Sequence, residues 1–258
     1  MRESLSGSEV SGRRWAGRFA ALGAVVCAMV VLFGTVAASP VASALVTQRY
    51  VAPYAGTESD LVFGQPVGCG NTMTLSALPY FNMSSGIGYT SARSTSVPCQ
   101  GANSSNTVNP MFGLFTNGFA APTGGTFHFK ETWVLSFSVK LSVKPGTTSG
   151  TPYAFFYVYP TAQVESASGG FWSQNYSTTL TYAVFSGSYS HTYSNVRMTV
   201  WLNATLPVNA TDTYTYFTWM NVVLATGAPV GTQATSASLN MATNGHHATL
   251  SYYSVRVT

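Results

Sequence analysis

Two glutamates, Glu131 and Glu165, are the residues of this sequence best suited to acid–base chemistry. Enzymes that hydrolyse glycosidic bonds hold two carboxyl groups about 5 to 10 Å apart across the bond. Glu131 and Glu165 belong to strand-like stretches that could be neighbours, so the two carboxyls could converge. Both positions also suit a solvated side chain, since Glu131 falls where an apolar alternation breaks and Glu165 falls at a strand end. An extracellular glycosidase that uses Glu131, Glu165 or both is therefore one alternative for this chain.

A second hydrolytic alternative is a glutamic-type peptidase, which would pair a glutamine with a glutamate. Gln163 or Gln174 could serve with Glu165, although the signature of such peptidases is absent. No nucleophile-elbow motif is present, and the mature chain has too few His and Asp residues for a legible Ser-His-Asp arrangement.

Metal sites are not indicated by the sequence. His246 and His247 are adjacent, and successive strand residues point to opposite faces, so the pair cannot easily bind one metal ion. Glu58 and Asp60 have too few acidic neighbours to favour calcium. We therefore expect no metal and no cofactor, and the sequence favours a protein that is not an enzyme.

Aromatic side chains are the remaining candidates for binding chemistry. Tryptophan rings stack on sugars, and amide or guanidinium groups beside them can bind hydroxyls. Alternation places Trp201 with Arg197, and Trp219 with Asn221, while Trp172 follows two glycines and could lie on a loop at the rim. The alternative is that these rings fill a core. The predicted ligand-binding residues are Trp172, Arg197, Trp201, Trp219 and Asn221.

The element that must position these groups runs from Thr126 to Val143. From Trp133 onward every second residue is large and apolar, which predicts a long strand with one buried face. Further strands are predicted at 111–119, 153–164, 178–185, 189–205 and 214–225, and Asn244-Gly245 predicts a tight hairpin with Leu239 opposite Leu250. This many strands with short polar turns predict an all-β, antiparallel two-sheet sandwich of jelly-roll type.

The first 44 residues carry an export signal. Arg13, Arg14 and Arg18 precede an uncharged run at 19–38, and the small-residue tripeptide at 42–44 follows it. This pattern predicts a secretory signal peptide, or an N-terminal membrane anchor if the run is not cleaved. The domain prediction is a leader at 1–44 and one sandwich domain at 45–258, with a loop-rich, disulfide-stapled section at about 68–110.

Export gives meaning to two other residue types. Cys69 and Cys99 are the only cysteines after the leader, and an oxidising compartment favours a disulfide between them. Closing this loop of about 30 residues would stabilise the fold by roughly 3 to 4 kcal/mol on the chain-entropy model. Acceptable sequons for N-glycosylation begin at Asn82, Asn103, Asn175, Asn203 and Asn209.

Charge excludes one class of partner. Charged residues make up only 7% of the chain, and seven Lys and Arg against five Asp and Glu leave about +2 after the leader. This charge is too weak and too scattered for a nucleic-acid binder. The sequence thus predicts a secreted or cell-surface protein that binds carbohydrate or another envelope component, touching a membrane only through 19–38. The alternatives are the hydrolase and a coat or assembly subunit without a small ligand, and the oligomeric state stays open.

Overall fold

The computed structural model describes residues 48–68, 70–98, 102–116, 119–120, 125–144, 146, 150–177, 179–207 and 213–258. These residues form fourteen strands and no α-helix. The strands are β1 (Gln48–Tyr50), β2 (Thr57–Val67), β3 (Thr72–Asn82), β4 (Ile87–Ser96), β5 (Ser104–Phe115), β6 (Phe119–Ala120), β7 (Thr126–Val143), β8 (Tyr153–Ser166), β9 (Trp172–Tyr176), β10 (Leu180–Val184), β11 (Gly187–Thr205), β12 (Thr213–Ala228), β13 (Thr235–Asn240) and β14 (His247–Val257).

The strands form two antiparallel sheets, so the predicted all-β two-sheet sandwich is confirmed. Sheet A contains β1, β3, β4, β7, β11, β13 and β14, with β7 between β11 on one edge and β13 and β14 on the other. Sheet B contains β2, β5, β6, β8, β9, β10 and β12, with β12 paired to β5 and β8. Each sheet has an inner face towards the other sheet and an outer face.

The core lies between the inner faces, and strand β7 supplies much of it. Trp133, Leu135 and Phe137 have no exposed surface, because alternation sends all three to the inner face. Rings from sheet B meet them edge to face, with Phe112 at 6.2 Å from Trp133 and Phe156 at 6.1 Å from Phe137 between ring centroids. Burial of such rings stabilises the sandwich by about 1.5 to 3 kcal/mol per large side chain.

The predicted hairpin at Asn244-Gly245 is wrong. Both residues do have positive φ, 59° and 77°, as a type I′ turn requires. However, β13 pairs with residues 138–143 of β7, and β14 pairs with residues 127–136 of the same strand in the same direction. Leu239 therefore pairs with Val139 and Leu250 pairs with Trp133. The turn therefore does not reverse the chain: β13 and β14 run in the same direction, one after the other, along β7.

The predicted loop-rich section at 68–110 is also wrong in its structure. Strands β3, β4 and most of β5 occupy it, and along β4 and the first half of β5 buried residues on the inner face alternate with partly or fully exposed residues on the outer face. The apolar alternation typical of strands is not visible in this section of the sequence, because buried Ser and Thr take the inner positions that apolar residues fill elsewhere. Ser94 and Ser96, for example, contact the Thr226 hydroxyl at 3.0 and 2.9 Å.

Several predictions fall outside the part of the chain that the structure describes. They concern the leader at 1–44, the Cys69–Cys99 disulfide and the sequon at Asn209. Within the described residues, no helix has the length and apolar character needed to cross a bilayer.

Candidate functional site

Strand β8 changes its neighbour part-way along one edge. Residues 154–158 of β8 pair with β10, and residues 161–165 pair with β9, both antiparallel. Pro160 lies between the two, and proline has no N–H to donate. The carbonyl of Pro160 accepts a hydrogen bond from the Ser177 amide over 3.3 Å. Since the N–H and C=O of a strand residue point to the same edge, the missing donor faces this break, which explains why the ladder is interrupted there.

A groove of about 370 Å³ opens at the break, on the outer face of sheet B. Its lining residues are Tyr159, Trp172, Gln174, Tyr176 and Thr179. Alternation along β9 brings Trp172, Gln174 and Tyr176 to one face. Trp172 is 59% exposed and Tyr176 is 63% exposed. These two rings leave most of their apolar surface in water, which is the surface that a stacking ligand would cover.

The third ring of the groove comes from β8 and is held more firmly. Tyr159 meets Tyr176 edge to face, with ring centroids 6.0 Å apart and planes at 64°. Burial raises the pKa of Tyr159, and the neighbouring Tyr176 adds to this effect. The Tyr159 phenol therefore stays protonated at neutral pH and can donate a hydrogen bond to a ligand hydroxyl.

Polar groups continue along β8 beside the rings. Strand register places Gln163 next to Gln174 and Glu165 next to Trp172. The Gln163 amide donates to the Glu165 carboxylate over 3.2 Å. Burial raises the pKa of Glu165, while the hydrogen bond from Gln163 acts in the opposite direction. Amide and carboxyl groups beside aromatic rings suit a ligand that carries many hydroxyls and apolar ring faces.

Two further predicted binding residues, Trp219 and Asn221, lie on the adjacent strand β12 and point to the same outer face. Asn221 is 4% exposed, and its amide donates to the Thr161 hydroxyl over 2.8 Å. Register places Asn221 beside Tyr159, and Trp219 beside Thr161. Trp219 also packs edge to face on Phe217 at 5.4 Å. Both residues support the strand that carries the groove, and Asn221 has too little exposed surface to contact a ligand.

The last two predicted binding residues, Trp201 and Arg197, lie on β11 and point to the outer face of sheet A. Both are exposed, Trp201 at 56%. The Lys130 ammonium lies 4.1 Å from the centre of the Trp201 ring, close enough for a cation–π contact. This face belongs to the other sheet, so the structure separates Trp201 and Arg197 from the groove.

The predicted pairing of Glu131 with Glu165 is wrong. Glu131 is on β7 of sheet A and points into the core, in phase with Phe129 and Trp133, whereas Glu165 is on the outer face of sheet B. Glu131 has no exposed surface, so the expectation that it is solvated is wrong too. The two carboxyls face different spaces and cannot act on one bond, which removes the proposed glycosidase pair.

The Glu131 carboxyl is buried without a charged partner. Burial raises its pKa well above the ordinary value, and the nearby Thr218 hydroxyl and Trp133 indole N–H lower it by less. Neither oxygen of Glu131 is in hydrogen-bonding geometry with these groups. The carboxyl is therefore held neutral by its apolar surroundings.

Other acidic and histidine candidates do not gather into a site within the described residues. Glu58 and Asp60 lie on β2, where burial and then the charge of Glu58 raise the Asp60 pKa to about 6. No group of three His, Cys, Asp or Glu residues in the described part of the chain could hold a metal ion. His128 instead uses both ring nitrogens on neighbours, Asn203 at 2.8 Å and Thr258 at 3.1 Å.

The described sequons have different surroundings. Asn103, Asn175 and Asn203 are exposed, and Asn82 is partly buried. The side-chain oxygen of Asn82 caps the turn that follows β3, since it accepts hydrogen bonds from the amides of Ser84 and Ser85. The Asn175 amide donates to the backbone carbonyl of Trp201, which ties β9 to β11 of the other sheet.

Comparisons with known proteins give no family for this chain. No family model matches it, and no curated protein sequence matches it. Among solved structures, TmCBM61 in complex with β-1,4-galactotriose aligns with a TM-score of 0.18 and 8% identity over 73% of this chain and 89% of that chain. The family 11 carbohydrate-binding module of the cellulosomal cellulase Lic26A-Cel5E of Clostridium thermocellum aligns with a TM-score of 0.19 and 7% identity over 81% and 96%. TM-scores and identities this low establish neither a shared family nor a shared ligand.

Proposed function

We propose that this protein is a non-catalytic carbohydrate-binding β-sandwich, and that the groove beside β9 holds an uncharged polysaccharide. The observation that carries the proposal is the exposure of Trp172 and Tyr176 on one face of β9, opposite the ring of Tyr159. Soluble proteins gain nothing in stability from large rings left in water, so rings held this way on a regular strand favour a stacking surface for a ligand.

The chemistry around the rings supports a sugar over a purely apolar ligand. Sugars present apolar C–H faces to aromatic rings and hydroxyls to the ring edges. Gln174 in the groove offers both a donor and an acceptor to such hydroxyls, and the partly exposed Glu165 beside it, oriented by the buried Gln163, offers an acceptor. Glu165 is the one carboxyl that the described residues place beside the groove, whereas hydrolysis of a glycosidic bond needs two.

The proposal is tested by affinity electrophoresis of the full chain in gels containing dextran, mannan, β-glucan, xylan or galactan. We expect at least one of these uncharged polysaccharides to retard the protein. The Trp172→Ala variant should weaken that binding by at least about tenfold, or about 1.4 kcal/mol, because it removes a central ring. Trp201→Ala is the matched control, since Trp201 is nearly as exposed but lies on the other sheet. The absence of retardation by every polysaccharide, or equal losses in the two variants, would contradict the proposal.

The cellular address belongs to the same proposal. The arginines before the run at 19–38 and the small residues at 42–44 support export to the cell surface or beyond, by cleavage or by anchoring. Mass spectrometry of the protein from its native membrane and medium fractions distinguishes the two, since a cleaved chain begins at Leu45.

We also assign the connectivity as jelly-roll-like, because the chain passes repeatedly from one sheet to the other, as between β7 and β8 and between β10 and β11.

A further inference from the structure

The charged residues of this protein are divided between its two sheets. All the Lys and Arg residues in the described strands belong to sheet A, and the exposed or partly exposed acids belong to sheet B. Among the strand residues whose side chains the structure describes, the sheet A set is Arg93, Lys130, Lys140, Arg197 and Arg256, and the sheet B set is Glu58, Asp60 and Glu165. Glu131 belongs to sheet A but points into the core. The small net charge of about +2 after the leader, seven Lys and Arg against five Asp and Glu, therefore conceals a cationic face.

The cations on this face have no acidic neighbour across the strand pairs. Lys130 stands between Trp201 and Ser254, Arg256 stands beside His128, and Arg197 beside Val134. Lys140 lies between Ser190 and Ser238, and Arg93 lies between Ser238 and Thr74. Because no carboxylate of the paired strand residues that the structure describes stands opposite these charges, they are available to an external anion.

The cations form two groups along the central strand. Lys130 and Arg256 lie towards one end of β7, Lys140 and Arg93 lie towards the other, and Arg197 lies between the two groups, beside Val134. Ten residues separate Lys130 from Lys140, which corresponds to roughly 33 Å along an extended strand. An extended polymer with repeated negative charges can reach both groups, whereas a small anion cannot.

The space between the two groups is polar. The outer positions of β7 between Lys130 and Lys140 are Thr132, Val134, Ser136 and Ser138; Thr132 is buried, and the hydroxyl-bearing Ser136 and Ser138 are partly exposed. At one end Lys130 is held between two rings, 4.1 Å from Trp201 and 5.9 Å from Tyr252. On β7, β11, β13 and β14, Trp201 is the one large apolar side chain that is exposed, and this part of the face suits a sugar polymer better than a lipid surface, which would require several protruding apolar side chains.

We propose that the outer face of sheet A binds a linear polysaccharide carrying carboxylate or sulfate groups, laid along β7. The cations pair with the acidic groups, the Ser136 and Ser138 hydroxyls bind the sugar hydroxyls, and Trp201 stacks on one sugar ring at the Lys130 end of β7. This surface is separate from the groove of sheet B, so the protein has two faces for two kinds of polymer, one acidic and one uncharged.

The test measures binding of the full chain to polygalacturonate and to dextran sulfate, with uncharged dextran as the reference. We expect binding to at least one of the two polyanions, and weaker binding when NaCl rises from about 50 mM to about 500 mM, because salt screens exposed charges. The double variant Lys130→Gln, Arg256→Gln should weaken binding by about tenfold or more, since it removes two neighbouring cations.

The matched control is Thr57→Glu, Ala183→Glu, which lowers the net charge by the same amount on the exposed edge strands of sheet B. It should bind the polyanion as the unaltered protein does, and so should Trp172→Ala. Equal weakening in the control would show that only net charge matters and would overturn the proposal. Binding of phosphatidylglycerol vesicles or duplex DNA as tightly as either polysaccharide would overturn it as well, as would the failure of both polysaccharides to bind.

Discussion

Tyr159 and Tyr176 meet edge to face across the point where the edge of β8 passes from β9 to β10. At the next residue, the carbonyl of Pro160 accepts a hydrogen bond from the Ser177 amide, and Pro160 has no N–H to donate. The interrupted ladder and the aromatic groove are thus consequences of the same local sequence. A proline in β8 opens the edge, and alternation along β9 places rings beside the opening.

The first prediction separates the ring of Tyr176 from its hydroxyl. We propose that the ring face of Tyr176 contacts the sugar. Tyr176→Phe should therefore keep the affinity for the polysaccharide that retards the protein within about threefold, whereas Tyr176→Ala should weaken that affinity by about tenfold or more. Titration calorimetry with the polysaccharide identified in the gel assay provides the measurement. A full loss of binding in Tyr176→Phe would show that the hydroxyl, and not the ring, makes the contact.

The second prediction concerns the buried Glu131. Its pKa is raised in the folded protein, so between the ordinary value and the raised value the folded state binds the proton that the unfolded state has lost. Stability therefore falls as pH rises through this window. Glu131→Gln, which carries no charge, should have a Tm close to that of the unaltered protein at pH 4 and a higher Tm at pH 8.

Thermal unfolding at a series of pH values measures this difference. The matched control is Glu165→Gln, where the carboxyl is partly exposed and hydrogen-bonded to Gln163, so its effect on Tm should be smaller. A lower Tm for Glu131→Gln at pH 8 would contradict the account, because it would show that the ionised carboxyl stabilises the fold through a partner.

The third prediction concerns a close contact in the core between Gly88 and Phe112. A Cβ atom added at Gly88 would lie 2.1 Å from the Phe112 ring, which itself packs on Trp133. Gly88→Ala should therefore lower the free energy of unfolding by about 1 to 3 kcal/mol through overpacking. Adding Phe112→Leu should recover part of that loss, because the smaller side chain makes room for the new methyl group.

Urea denaturation of the two single variants and the double variant measures the coupling between the sites. If the contact is tight, the double variant is more stable than the sum of the two single losses implies. Strict additivity would show that the ring moves aside freely and that the contact is not tight.

The strands of this protein are largely readable from its sequence, but their pairing is not. The predicted stretch Thr126–Val143 is strand β7 to the residue, and the predictions at 153–164 and 189–205 lie within β8 and β11. Period-two alternation reports which face a side chain takes. Alternation does not report which strand lies alongside. Two pairs of consecutive strands, β9 with β10 and β13 with β14, each lie end to end along one neighbouring strand, and no local feature of the sequence distinguishes this arrangement from a hairpin.

The same reasoning explains the outcome for the site. Trp172 was predicted as a binding residue and lines the groove, while Tyr159 and Tyr176 were missed. The spacing Trp172, Gln174, Tyr176 was a usable signal, since three consecutive alternate positions share a face. Glu131 was misread because its charge suggested solvent, although its position is in phase with Phe129 and Trp133. At this position, alternation along the strand predicts the burial of the side chain correctly, whereas the charge of the residue does not.

The groove itself is tested most directly by fluorine NMR on protein labelled with 5-fluorotryptophan. The chain has five tryptophans, so five resonances are expected, and single Trp→Phe variants assign them. On titration with the polysaccharide found in the gel assay, we expect a saturable shift of the Trp172 resonance, with the Trp201 and Trp133 resonances unchanged. A titration in which Trp172 stays unchanged while Trp201 shifts would contradict the account, because the uncharged polymer would then lie on the opposite sheet.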